Sequence, residues 1–147
     1  MNAAAPDPAT QASRGADPVR GGVRLLLVDS ITEAVDGGAG TATVSGSHGG
    51  MSSARYALQA RPWLAVFNDA GVGREEAGIA ALPFLQRHGI AACTVAHDSA
   101  RIGEALSTWE HGRVSHANAL ATALGARPGQ ALRDWLAGPA GPGLVVS

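Results

Sequence analysis

The sequence predicts an α/β fold, a three-layer α/β/α sandwich with a mainly parallel sheet of four or five strands. Short apolar segments alternate with helical segments along the chain, and glycine and polar residues follow the apolar segments. Such alternation is typical of a parallel sheet with helices on both faces. The length of 147 residues is close to the commonest domain size, so one domain is expected.

Four apolar segments have the length and composition of buried strands. The first is continuously apolar, as expected of a strand that is covered on both faces. Asp29 and Ser30 follow it, and either could cap a short helix at 31–35. The predicted strands cover residues 25–28, 41–45, 63–67 and 90–96, and 144–146 is either a short edge strand or a disordered end.

The segments between and after these strands favour helices. Arg61-Pro62 ends the first helix, because proline cannot continue it. Glu75 and Glu76 lie at the start of the second, where acidic side chains complement the helix dipole. Ser115 is the expected N-cap of the third. The predicted helices cover residues 51–60, 75–87, 114–124 and 129–137.

Composition restricts the location and the partners. Residues 1–21 have no apolar stretch long enough for a signal sequence or a membrane span, which predicts a disordered leader, a single domain over 22–147 and a cytoplasmic protein. A formal net charge of −1 provides no basic stripe for nucleic acid and no polybasic segment for a membrane. Neither is expected as a partner, whereas a homo-oligomer or a partner subunit stays open.

Two residue types restrict the chemistry. All eleven cationic side chains are arginine, which excludes lysine Schiff bases, P-loop lysines and lysine general bases. Cys93 is the only cysteine, so no intrachain disulfide can form. Because Cys93 lies inside a predicted strand, we expect an inert core residue.

Polar and glycine residues lie at the ends of the predicted strands. In an open α/β sheet, ligands bind outside the carboxyl ends of the strands, so these residues should converge on one small-molecule site. The candidate site residues are Asp29, Ser47, His48, Gly49, Gly50, Asn68, Asp69, His97, Asp98 and Arg101.

The segment 45–50 lies between a predicted strand and a predicted helix. The amides of Gly49 and Gly50 are expected to form an oxyanion or carboxylate hole, with His48 as general acid or base beside Ser47. Alternatively, the glycines form a tight turn and His48 bonds a loop carbonyl.

The other candidates follow the next two strands. Asp69 could orient His48, hold a metal or cap a helix. Arg101 has a planar fork suited to a carboxylate or phosphate. His97 and Asp98 are adjacent, so they can pair only if the backbone turns between them. A salt bridge between Asp98 and Arg101 is the structural alternative.

Residues 44–73 carry a His-Gly pair at 48–49 and an Asp-Ala-Gly sequence at 69–71. This pattern resembles the caspase-like peptidase fold, in which one strand ends in His-Gly and the next in an Ala-Cys segment followed by glycine. The cysteine is missing, which removes the thiol chemistry of that family. The resemblance implies an α/β sandwich in which His48 and Asp69 are neighbours, without peptidase activity.

The function expected from these residues is a small metabolic hydrolase or lyase that acts on an anionic carboxylate or amide and needs no cofactor. His48 would activate water or Ser47, and Arg101 would hold the substrate. Two alternatives stay open. One is a hydrolase that uses a divalent zinc, manganese or iron ion held by histidine and aspartate side chains. The other is a non-catalytic anion-binding or accessory subunit.

Overall fold

A mostly parallel sheet of six strands lies at the centre of the computed structural model, which describes residues 22–145. The strand order is β5-β4-β3-β2-β1-β6, and only β5 runs antiparallel to its neighbour within this part of the chain. The strands are β1 (Val23–Val28), β2 (Ala42–His48), β3 (Leu64–Asn68), β4 (Ala91–Val95), β5 (Val114–Ala117) and β6 (Leu144–Val145). The α/β class is confirmed, with six strands where four or five were predicted. The predicted leader lies outside the described residues.

Helices connect the strands. They are α1 (Met51–Ala60), α2 (Ala81–Arg87), α3 (Ala105–His111), α4 (Ala119–Ala123) and α5 (Leu132–Ala137), with 3₁₀ segments at Ile31–Ala34 and Arg74–Ile79. Within residues 22–145, none of the helices combines the length and the apolar character that a membrane crossing requires.

The predicted helix over 75–87 is interrupted. Glu75 and Glu76 have φ of 54° and 59°, so an α-helix does not run through them. The backbone N–H of Gly78 donates to the carbonyl oxygen of Val72 at 2.7 Å, which folds this segment back on itself. The α-helix begins only at Ala81.

The predicted helix over 114–124 is wrong in its first part. Residues 114–117 pair with β4 as an antiparallel edge strand, with His116 opposite Thr94 and Ala117 opposite Cys93. Pairing with an open sheet edge overrides local helix preference here. Helix α4 starts after Asn118, which accepts the Ala121 N–H at 2.9 Å and is the N-cap in place of Ser115.

Both faces of the sheet are covered by apolar side chains. Along β3, Leu64 and Val66 belong to one hydrophobic cluster, whereas Ala65 and Phe67 belong to another. The first cluster includes residues of α3, α4 and α5, and the second includes residues of α1 and α2. This two-sided burial explains why β3 is almost continuously apolar.

Cys93 lies on β4 in the first cluster and is fully buried. Burial raises the pKa of its thiol to about 12, because a thiolate is poorly solvated inside the core. We expect Cys93→Ser to lower the free energy of unfolding by about 1–3 kcal/mol, since the hydroxyl would lose its bonds to water. Iodoacetamide should label the folded protein slowly and the denatured protein completely. Rapid labelling of the folded protein would contradict this assignment.

Candidate functional site

A cavity of about 780 Å³ lies at the carboxyl ends of β3 and β4. Asn68 of β3 lines it, together with His97, Asp98 and Arg101 from the segment between β4 and α3. The structure therefore brings four of the predicted site residues to one place. A cavity of this volume can hold a small molecule.

A buried carboxylate faces a histidine at the edge of this cavity. The carboxylate oxygen Oδ1 of Asp69 accepts the backbone N–H of Gly71 at 2.8 Å and that of His97 at 3.0 Å. Nδ1 of the His97 ring lies 3.5 Å from the same oxygen, and the two side chains are 60% and 6% exposed, respectively. Nδ1 of His97 therefore lies within ion-pair distance of Asp69 on one side of the ring, while most of the side chain stays accessible.

Asp69 is charged at neutral pH. Burial by itself raises the pKa of Asp69, but hydrogen bonds from the backbone N–H groups of Gly71 and His97, together with the nearby His97 ring, bring it below the ordinary value. An ionised carboxylate only accepts hydrogen bonds, so it favours the His97 tautomer that carries its proton on Nδ1. In that tautomer, Nε2 has a free lone pair and can act as a base.

The lowered pKa of Asp69 predicts a pH-dependent stability. Because the folded-state pKa lies below the unfolded value near 3.8, this stabilisation is complete above the unfolded value and is lost as pH falls through the folded value. Asp69→Asn should lower stability at pH 7 and flatten its decline below about pH 4. Urea unfolding of both proteins from pH 7 to acid pH tests this. Parallel pH curves would contradict it.

His48 does not share this cavity. It lines a second cavity of about 390 Å³ together with Met51, Val72 and Ala77. Its Nδ1 accepts the N–H of Gly50 at 3.1 Å, which leaves Nε2 as the protonated nitrogen of the neutral ring. Within residues 22–145, no hydrogen bond or ion pair joins His48 to Asp69. The structure thus replaces the predicted His48–Asp69 pair with a pair between His97 and Asp69.

A shift in strand register accompanies this different pairing. The register between β2 and β3 is irregular between Val44 and His48. Such irregularities redirect the side chains that follow them. The direction of the His48 side chain therefore could not be predicted by counting residues along a regular strand.

The predicted oxyanion hole is not available. The N–H of Gly49 donates to the carbonyl oxygen of Asn68 at 3.0 Å, and the N–H of Gly50 donates to His48. Both amides already have acceptors within the chain, so they support the turn between β2 and α1 rather than a bound anion.

Ser47 and Asp29 also bind backbone groups of the protein. The hydroxyl of Ser47 accepts the N–H of Ile31 at 2.9 Å. A carboxylate oxygen of Asp29 accepts the N–H of Ala105, the first residue of α3, at 2.9 Å. The structure places both residues at connections between elements, apart from the larger cavity.

Asp98 and Arg101 do not form the salt bridge considered above. Both are exposed and line the larger cavity. Among residues 22–145, the one ion pair within 4.0 Å joins His97 to Asp69. The backbone N–H of Arg101 donates to the Ser107 hydroxyl at 3.0 Å, which fixes the chain here.

Helix α3 and the residue before it contribute cavity residues that were not among the predicted site residues. Glu104 precedes this helix, His111 ends it, and both line the larger cavity. The helix was overlooked although Ala105, Thr108 and Trp109 are buried at helical spacing. That spacing was the sequence signal that could have predicted the helix.

The backbone after β3 is strained. Ala70 and Val72 have φ of 52° and 68°, in the left-handed region that β-branched and other side chains rarely adopt. Such residues cost about 1–3 kcal/mol each and occur most often at functional sites. Ala70 lines both cavities, so the strain lies beside Asp69 and between the two cavities.

Comparisons of the chain with protein-family models, curated proteins and solved structures found no match. The caspase-like resemblance stays a prediction. In the described part of the chain, no three His, Cys, Asp or Glu side chains are grouped so that they could hold a metal ion. The His97–Asp69 pair and its cavity are therefore the features from which a function can be argued.

Proposed function

We propose that this protein is a small cytoplasmic enzyme of metabolism, a hydrolase or lyase for an anionic carboxylate or amide, in which His97 is the general base. The proposal rests on the buried Asp69 carboxylate, which lies 3.5 Å from Nδ1 of the exposed His97 ring. A carboxylate this close to Nδ1 favours the tautomer and the ring orientation that leave Nε2 free to act as a base.

In hydrolysis, Nε2 of His97 takes a proton from water as the water oxygen attacks the substrate carbonyl. The Asp69 carboxylate stabilises the imidazolium that forms. Nε2 then gives the proton to the leaving group, which restores the neutral ring. In a lyase reaction, Nε2 would instead remove a proton from carbon and return it to the departing group. Neither route requires a cofactor.

Arg101 is the proposed substrate anchor. It lines the same cavity as His97, and its planar guanidinium can bind a carboxylate through two parallel hydrogen bonds. The two hydrophobic clusters support a three-layer sandwich, with this site at the carboxyl ends of β3 and β4.

A panel of small carboxylates, amides and phosphate esters tests the proposal, with thermal shift for binding and product analysis for turnover. A ligand at about 100 times its Kd should stabilise the fold by about 2.7 kcal/mol. For a substrate found in this way, Arg101→Lys should raise KM about tenfold with little change in kcat.

Arg87→Lys is the matched control, because Arg87 is exposed at the end of α2 and lines neither cavity. It should leave KM unchanged. Binding without turnover would contradict the enzyme proposal and identify an anion-binding subunit. Equal effects of the two arginine substitutions would contradict the role of Arg101.

A further inference from the structure

The larger cavity presents charges of both signs. Arg101 contributes a cation, whereas Asp98 and Glu104 contribute carboxylates, and all three side chains are exposed. No two of them pair within 4.0 Å, since the ion pair between His97 and Asp69 is the one formed among residues 22–145. The head groups of these three residues are therefore accessible to a ligand.

The backbone that carries these charges is fixed. The Gly103 N–H donates to the carbonyl oxygen of Gly46 at 2.7 Å, which ties the segment to β2. The Glu104 N–H donates to the carbonyl oxygen of Arg101 at 3.3 Å, which closes a turn between the two charged residues. Arg101 and Glu104 are thus presented from one defined turn. Asp98 lies beside His97 in the preceding turn, which the Ser99 N–H closes by donating to the carbonyl oxygen of Ala96 at 2.9 Å.

The balance of these charges distinguishes ligand classes. Arg101, Asp98 and Glu104 together carry one positive and two negative charges when they are ionised. A simple anion would gain from Arg101 but would be repelled by both carboxylates. A molecule with an ammonium group and a carboxylate would find a partner of opposite charge for each.

We propose that the cavity binds a zwitterionic amino-acid-like molecule, with its carboxylate at Arg101 and its ammonium group at Asp98 and Glu104. This inference rests on the proposed function and restricts its substrates to carboxylates that also carry an ammonium group. The molecule would then lie in the cavity that His97 also lines. A zwitterion needs both charged ends for recognition, so specificity comes from the pair of contacts.

Three probes of similar skeleton test this inference: butyrate, butylamine and 2-aminobutyrate, each titrated against the full chain by calorimetry. We expect 2-aminobutyrate to bind about tenfold more tightly than either of the others. The double variant Asp98→Asn/Glu104→Gln should lose most of that advantage, yet bind butyrate at least as well as the wild type. Arg101→Gln should weaken both butyrate and 2-aminobutyrate.

His97→Gln separates this inference from the proposed function, because it should abolish turnover of a panel substrate while 2-aminobutyrate still binds. Butyrate binding as tightly as 2-aminobutyrate, or better, would overturn the zwitterion inference and leave the His97 mechanism intact. Absence of binding by all three probes would also overturn it. Unchanged melting temperatures of the variants would show that these exposed substitutions do not unfold the protein.

Discussion

Replacing His97 by glutamine is expected to lower kcat by about 10²–10⁴-fold. Glutamine is polar and of similar length but has no basic nitrogen, so it cannot take a proton from water or substrate. Steady-state kinetics on the substrate found in the panel measures the effect. Because His97 is largely exposed, the melting temperature should change little.

His48→Gln is the matched control, since His48 lines the other cavity and its Nδ1 is occupied by Gly50. The kcat of the His48→Gln variant should stay within about twofold of the wild type, because the substitution changes neither substrate binding nor proton transfer in the larger cavity. A large loss with His48→Gln and none with His97→Gln would contradict His97 as the base and favour His48, as the sequence suggested.

Asn118→Ala should destabilise the protein by about 3–4 kcal/mol, because it removes one side chain that binds four buried backbone groups. Its Oδ1 accepts the N–H groups of Ala92 and Ala121 at 3.1 and 2.9 Å. Its Nδ2 donates to the carbonyl oxygens of Leu82 and Ile90 at 3.1 and 3.0 Å. The side chain therefore joins α2, β4 and α4.

Ser30→Ala is the control for loss of an ordinary helix cap. Ser30 caps the 3₁₀ segment at Ile31–Ala34 through exposed hydrogen bonds, and its removal should cost about 1 kcal/mol. Urea unfolding of both variants measures the difference. If Asn118→Ala costs no more than Ser30→Ala, Asn118 acts as a cap only, and the junction it forms is not a major source of stability.

The central part of the fold could be predicted from the sequence. Strands β3 and β4 are apolar along most of their length because every one of their residues is buried. The apolar run in β1 also marks a strand, although Leu27 there is exposed rather than covered on both faces. Helix α1 ends at Ala60 as predicted, since Arg61-Pro62 breaks the helical pattern locally. These features depend on residues that are close in sequence.

The elements that were not predicted correctly depend on residues distant in sequence. Helix α3 begins where Ala105 is bound by Asp29, 76 positions earlier in the chain. Strand β5 forms because β4 offers it an edge, with Ala117 opposite Cys93. Neither partner is visible from the local pattern, so no element was predicted at 105–111 and a helix was predicted at 114–117.

The candidate site shows the same division. That polar residues would converge at the strand ends followed from parallel topology, and Asn68, Asp98 and Arg101 do line one cavity. Which histidine lies beside Asp69 could not be predicted from the topology, because it depends on the left-handed backbone at Ala70 and on the irregular register of β2. Such local geometry is determined by the folded chain as a whole.

Measuring the tautomer of His97 is the most direct test of whether Asp69 keeps Nε2 of this ring free to act as a base. Long-range ¹H–¹⁵N correlation spectra, recorded at a pH where the rings are neutral, distinguish a protonated Nδ1 from a protonated Nε2 for each histidine. We expect His97 to carry its proton on Nδ1, facing Asp69, and His48 to carry its proton on Nε2. Asp69→Asn should reduce the His97 preference and leave His48 unchanged. A His97 ring protonated on Nε2 in the wild type, or one insensitive to Asp69→Asn, would contradict the account.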